Sequence, residues 1–137
     1  MQVILGGAYN GKRQYVHEQL ANVANEHLHI FEGEIPEQLF TTEDYVVIGG
    51  FEKIVEPLLH KEELQVAAEL YTKLRKLSDT TNLICICTDM SRGIVPLDKK
   101  ERQLRDTCGR LYQQFCANSE TVVRIWYGIP QQLKGEL

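Results

Sequence analysis

Val3-Ile4-Leu5-Gly6-Gly7-Ala8-Tyr9-Asn10-Gly11-Lys12-Arg13 passes from an apolar triplet, through a glycine-rich turn, into a segment of helical periodicity. Strand, glycine loop and helix, in that order, is the context a phosphate-binding loop needs. The spacing G-x-x-x-x-G-K runs from Gly6 to Lys12. Glycines let such a loop turn its backbone N–H groups inward, through conformations that a Cβ obstructs. The N-terminus of the following helix adds partial positive charge at the same spot. Lys12 is placed to reach the outer phosphates. The candidate nucleotide-binding residues are therefore Gly6, Gly7, Ala8, Tyr9, Asn10, Gly11, Lys12 and Arg13. One position departs from the pattern. A Ser or Thr hydroxyl that ligates Mg²⁺ is normal after the lysine, and this chain has Arg13. A guanidinium cannot ligate a cation, so the loop is expected to hold phosphate but to handle Mg²⁺ poorly.

Outward from this stretch, residues 12–25 place Val16, Leu20 and Val23 on one helical face. Leu28-His29-Ile30-Phe31 reads as a second strand. Asp44-Tyr45-Val46-Val47-Ile48 reads as a third, closed by Gly49-Gly50. Residues 51–59 give one or two helical turns interrupted at Pro57. Residues 61–77 form a helix whose expected inner stripe is Leu64, Ala67, Ala68, Tyr71, Leu74 and Leu77. Leu83-Ile84-Cys85-Ile86-Cys87 is an uninterrupted apolar run, as in a central parallel strand, and it ends in Thr88-Asp89. Asp98 caps the next helix, with Glu101 completing a capping box. Leu104, Cys108, Leu111 and Phe115 give that helix its apolar face. Residues 121–126 form the last strand, Gly128-Ile129-Pro130 breaks it, and the tail is polar. Strands alternating with helices predict a parallel sheet covered on both faces. Ligands in such sheets bind at the carboxyl ends of the strands, where Lys12, Glu52 and Asp89 fall.

A chain of 137 residues forms one domain with a core of its own. Its net charge of −4 argues against non-specific nucleic-acid binding. No window is long enough to span a membrane. The N-terminus enters a strand with no basic leader, so no signal peptide is expected. The four cysteines, Cys85, Cys87, Cys108 and Cys116, contain no C-x-x-C pair. They read as buried thiols, which suits a reducing cytoplasm. His27 and His29 share one side of a strand, but the sequence shows no nearby carboxylate or cysteine partner, and no metal site is assigned.

The stretch from Asp89 to Lys134 resembles a known family. Thr88-Asp89-Met90-Ser91-Arg92-Gly93-Ile94-Val95-Pro96 is similar to an N-E-V-G-x-G-I-V-P loop. The segment from Arg102 to Gln113 follows R-x-x-R-D-x-x-G-R-L-x-Q at every named position. Gly128-Ile129-Pro130-Gln131-Gln132-Leu133-Lys134 matches G-x-P-x-x-L-K. These motifs resemble the bifunctional adenosylcobinamide kinase / adenosylcobinamide-phosphate guanylyltransferases of cobalamin biosynthesis. Their loop G-G-A-R-S-G-K-S is matched at Gly6, Gly7, Ala8, Gly11 and Lys12. The resemblance implies a P-loop NTPase-like three-layer sandwich, with a mainly parallel sheet covered by helices on both faces. It implies ATP or GTP as ligand, a corrinoid (adenosylcobinamide) as substrate, a cytoplasmic location and a homo-oligomer. It places catalysis at Lys12 and at Asp89, where the family has glutamate.

The middle of the chain departs from the pattern. The family carries its GMP-accepting histidine between the second and third strands, and residues 32–43 contain no histidine. Gly49-Gly50 stands where the family has a strand-end aspartate. The resemblance thus implies a divergent kinase/guanylyltransferase-like protein that has lost the guanylyl-transfer histidine. The alternatives are a catalytically inactive nucleotide- or corrinoid-binding partner subunit, and a structural oligomer that binds no nucleotide.

Overall fold

The computed structural model describes residues 1–7, 11–89 and 98–135. Ten principal elements follow in the order β1 (Gln2–Gly6), α1 (Lys12–Gln19), β2 (Leu28–Glu32), β3 (Tyr45–Gly49), α2 (Phe51–Val55), α3 (Glu63–Thr80), β4 (Asn82–Thr88), α4 (Lys99–Asn118), β5 (Thr121–Trp126) and β6 (Ile129–Lys134). The strands form one sheet in the order β2-β3-β4-β1-β5-β6. All neighbours are parallel except β5 and β6. From β1 the chain runs to the far edge at β2, works back through β3 and β4, then steps over β1 to β5. The strand order therefore reverses beside β1, and a crevice opens at the carboxyl end of that strand, where open α/β sheets bind ligands.

The apolar run of β4 is buried from Leu83 to Cys87 between β1 and β3. Successive residues alternate faces. Val46, Ile48, Cys85 and Cys87 pack on one face with Phe51, Leu74, Leu111 and Phe115. Ile4, Val47, Ile86 and Val123 pack on the other with Val16 and Leu20. Among the described residues the first face is covered by α2, α3 and α4, and the second by α1 alone. The layered α/β sandwich expected from the sequence is thus present, with unequal layers. No helix among the described residues is long and apolar enough to cross a membrane.

Three local expectations are corrected. The first helix ends at Gln19 instead of near residue 25. In α3 Ala67 and Leu74 of the expected stripe are buried and Tyr71 and Leu77 pack against the same core, but Val66 and Leu70 complete the buried face and Leu64 is 54% exposed. Leucines occupy both sides of this helix, so docking against the sheet sets the phase. The polar tail is a strand. Tyr127 and Gly128 take φ of 50° and 77°, the positive-φ pair that tight two-residue hairpins use, and β6 returns antiparallel to β5. Its side chains are mostly exposed, so no apolar alternation betrays it. The helix caps follow local chemistry. Asp98 accepts from the N–H groups of Lys100 and Glu101, and Glu62 from those of Leu64 and Gln65.

Candidate functional site

The site is built at the carboxyl ends of β1, β3 and β4. Gly6 ends β1, and its carbonyl accepts the Asp89 N–H at 2.8 Å. A Cβ on Gly6 would lie 2.8 Å from the Ile125 carbonyl and 3.3 Å from the Lys12 side chain. Gly11 opens α1 at φ +86°, with an added Cβ 3.3 Å from the Gly128 Cα. Both glycines are therefore required by the packing of the turn itself. Ala8, Tyr9 and Asn10, and the turn Gly93-Ile94-Val95-Pro96, lie outside the described residues.

Lys12 is only 7% exposed, and its Nζ donates to the Gly7 carbonyl at 2.7 Å. Burial, reinforced by the adjacent Arg13 charge, lowers its pKa from the ordinary 10.5, while Cys87 and Glu52 act in the other direction. A buried ammonium folded back on its own loop is a charge already desolvated at the place where phosphate would sit.

Arg13 points the other way. Its guanidinium forms a two-pronged pair with Glu32 at the end of β2, with Nη2 2.9 Å from Oε2. The pair lies directly over Gly49. A Cβ there would meet Arg13 Nη2 at 2.9 Å, Arg13 Nη1 at 3.0 Å and Glu32 Oε1 at 3.0 Å. Arg13, Glu32 and Gly49 are thus one packed unit, in which the side chain missing from the end of β3 makes room for the ion pair. Ligands for Mg²⁺ are reduced here among the described residues. The hydroxyl after the lysine is replaced by a cation, Gly49 and Gly50 carry no side chain at the end of β3, and Glu32 is engaged by Arg13, which leaves Glu52, in the first turn of α2 and close enough to raise the Lys12 pKa. Magnesium requires near-octahedral oxygen ligation.

His27 and His29 are held at the opposite, amino ends of the strands. The Asp44 carboxylate accepts from His27 Nδ1 at 3.2 Å and from His29 Nε2 at 3.1 Å. This is the partner that the sequence concealed, since Asp44 is far along the chain and reaches the histidines through the β2–β3 pairing. Among the described residues, no group of three or more His, Cys, Asp or Glu side chains is arranged to hold a metal ion.

Beside Gly6 and Gly7, between α4 and β5, lies a cleft of about 380 Å³ whose wall includes Asp89, Arg105, Gly109, Arg124 and Trp126. Asp89 lines this cleft and hydrogen-bonds Gly6, and the Lys12 side chain packs beside Gly6 without lining the cleft. Arg124 and Trp126 were not singled out by sequence as site residues. The available signal was their i, i+2 spacing on β5, which puts both on the α4 side beside Val122.

A mainly parallel α/β sheet that switches direction at β1, with a glycine turn leading into a helix N-terminus and a buried lysine, defines a P-loop NTPase-like protein. A sequence profile described as cobinamide kinase / cobinamide phosphate guanyltransferase matches residues 31–133, and the chain belongs to that family. The matched range takes in the middle segment, where the motifs are not visible by eye, and begins after the glycine loop. No curated protein matches the chain.

Proposed function

We propose that this chain is a divergent cobinamide kinase/guanylyltransferase-like protein of cobalamin biosynthesis that holds the phosphates of ATP or GTP on residues 6–13 without depending on Mg²⁺. The observation that carries this reading is the Arg13–Glu32 pair over Gly49. It sets a guanidinium where a kinase of this architecture keeps its metal-binding oxygens. Phosphate charge then falls to Lys12, to the N–H groups opening α1, and to Arg13 when it exchanges Glu32 for a phosphate oxygen. In phosphoryl transfer, the acceptor hydroxyl oxygen bonds the γ-phosphorus, the bond from that phosphorus to the β–γ bridging oxygen breaks, and the nucleoside diphosphate (ADP or GDP) leaves. Lys12 stabilises that leaving charge, and Asp89, adjacent to Gly6, is the carboxylate for the hydroxyl proton. Guanylyl transfer to His27 or His29 finds no support, because both are tied to Asp44 at the far end of the sheet.

A second reading is a catalytically inactive nucleotide- or corrinoid-binding partner subunit. The same ion pair favours it, since without a metal template the transition state loses much of its charge stabilisation. Calorimetric titration with ATP and GTP, in Mg²⁺ or in EDTA, tests the binding. Micromolar affinity is expected, altered less than about threefold by EDTA and weakened at least about tenfold in Lys12→Ala. Absence of binding at millimolar nucleotide removes the proposal, and strict Mg²⁺ dependence removes its metal-free element. Incubation with γ-labelled ATP and adenosylcobinamide separates the two readings, because only the first yields labelled corrinoid.

A further inference from the structure

We infer that the hollow between α1 and the edge strand β2 is a binding site for a small amphipathic carboxylate, whose apolar body lies on the sheet and whose carboxylate is held by Arg13 and His17. The floor is aliphatic. β2 is the outermost strand and α1 ends at Gln19. Strand register sets Ile30 beside Val47, and Val47 beside Ile84, in one continuous row. Val47 is 2% exposed and Ile30 is 60% exposed, so the row runs out from beneath α1 and opens at Ile30. With Leu20, Leu28 and Ile86, Val47 and Ile30 line a hollow of about 370 Å³. That is near the lower end of small-ligand sites, about 300–1,000 Å³. Covering such a floor with an apolar body removes aliphatic surface from water.

The mouth carries the charge. Arg13 and His17 are one turn apart on α1, a spacing that puts both on one side of the helix, and both line the hollow together with Glu32. Arg13 gives Nη1 and Nη2 to the two Glu32 oxygens. Its Nε–H makes no hydrogen bond among the described residues, and exposed His17 has neither a hydrogen bond nor an ion pair there. Two uncommitted N–H donors above an aliphatic floor match the two oxygens of one carboxylate. A cationic head would reach Glu32 only by breaking its two-pronged pair with Arg13. A neutral head would leave the guanidinium unanswered. Charge complementarity therefore selects an anionic head.

The hollow bears on the phosphate loop through Arg13. This step rests on the proposed function, in which Arg13 exchanges Glu32 for a phosphate oxygen. A carboxylate held between Arg13 and His17 keeps the guanidinium on the β2 side. Carboxylate and nucleotide then oppose each other, each weakening the other by the same factor.

The probes are octanoate, octanol and octylamine, which share one chain and differ in head group. They are titrated into protein with ¹³C-labelled isoleucine methyl groups and followed by NMR. Ile30 and Ile86 report on the hollow. Ile54, in the core of the opposite sheet face, and Ile129, on the opposite edge strand, are controls. Saturable shifts are expected at Ile30 and Ile86 with octanoate and not at the controls. Octanol and octylamine should bind at least about fivefold more weakly. His17→Ala should weaken octanoate at least about threefold and leave octanol unchanged, and Ile30→Ser should weaken both. Both side chains are exposed, so these variants report on binding rather than on folding. Saturating octanoate should weaken ATP at least about threefold in the native protein and not in Arg13→Gln. Methyl signals unchanged up to about 20 mM octanoate, octylamine binding as tightly as octanoate, or octanoate affinity indifferent to His17→Ala would each overturn the inference. So would Ile30 shifts that follow protein dilution without ligand, together with a dimer in sedimentation, since a second copy would then cover the floor. Octanoate binding without ATP binding would keep the hollow and remove the phosphate loop, and ATP binding without octanoate binding would do the reverse. Binding of both with no mutual effect would overturn the link through Arg13.

Discussion

The contact between Arg13, Glu32 and Gly49 makes a testable demand on side-chain volume. An aspartate placed at position 49 meets the guanidinium and the Glu32 carboxylate at about 3 Å, so Gly49→Asp alone is expected to cost roughly 1–3 kcal/mol by overpacking. Arg13→Ser alone removes a half-exposed ion pair and should cost less than about 1 kcal/mol. Combined, the two should be less destabilising than their sum, because Arg13→Ser vacates the space. Urea unfolding of the four proteins in a double-mutant cycle measures this coupling, and strict additivity would contradict the packed unit. Arg13→Ser also frees Glu32 and supplies a hydroxyl, so nucleotide affinity is expected to become Mg²⁺-responsive. Asp44 makes a second residue-scale demand. The Thr41 N–H, then His27 and His29, hold its carboxyl well below the ordinary 3.8, and the Asp44 hydrogen bond raises His27 above the ordinary 6.5. For Asp44, stabilisation is present above pH 3.8 and is lost as pH falls through the depressed value. For His27 it is complete below pH 6.5 and is lost as pH rises through the raised value. Tm should therefore fall on the alkaline side of about pH 6.5 in the native protein, and Asp44→Asn should flatten that decline. An identical alkaline slope in both proteins would show that the pair is not coupled to folding. The glycine loop could be read from sequence because its signal lies within eight consecutive residues. The histidine–aspartate cluster and the Arg13–Glu32 pair could not, because the β2–β3 pairing brings the first together and the packing of α1 beside the end of β2 the second.

Elements were legible wherever one face had to be buried. The apolar run of β4 and the capped start of α4 needed only local pattern and cap chemistry, and both are present as read. β6 was hidden because it is stabilised by backbone pairing to β5 with little apolar burial, and because its turn is Tyr127-Gly128 instead of the more recognisable Asn-Gly. That turn allows a direct test. Tyr127 has φ of 50°, a region that a bulky residue enters at a cost and that asparagine tolerates. Tyr127 is 77% exposed, with an edge contact to Trp126 at 5.4 Å. Tyr127→Asn should thus lose little burial and relieve strain, raising Tm by about 2 °C. Gly128→Ala should lower it, although its Cβ would meet nothing within 4 Å, since φ of 77° disfavours any L side chain. A gain in Tm from Gly128→Ala would show that the turn relaxes to another conformation in solution.

Across the whole molecule, the two faces of the sheet are covered unequally among the described residues. Phe115 is fully buried where α2, α3 and α4 meet the sheet, with its ring 5.3 Å from Phe51, 6.2 Å from Tyr112 and 6.4 Å from Tyr71. Removing that ring opens a cavity at the junction of three helices, at a cost of about 3–5 kcal/mol. A domain of this size has roughly 5–15 kcal/mol in total, so Phe115→Ala should be marginally folded. Val16 lies on the other face, beneath the single helix that carries Lys12 and Arg13. Val16→Ala removes two buried methyl groups and should cost only about 2 kcal/mol. Its effect on nucleotide binding should nevertheless be the larger, because among the described residues α1 has no neighbouring helix to hold its N-terminus against β1. Urea unfolding and ATP titration of the two variants, both under conditions where each remains folded, give the comparison. Phe115→Ala is expected to lose more stability and Val16→Ala more affinity. The reverse order would mean that the phosphate loop is positioned through α4 and the three-helix face, and that α1 is held by its contacts at Gly6 and Gly11 alone.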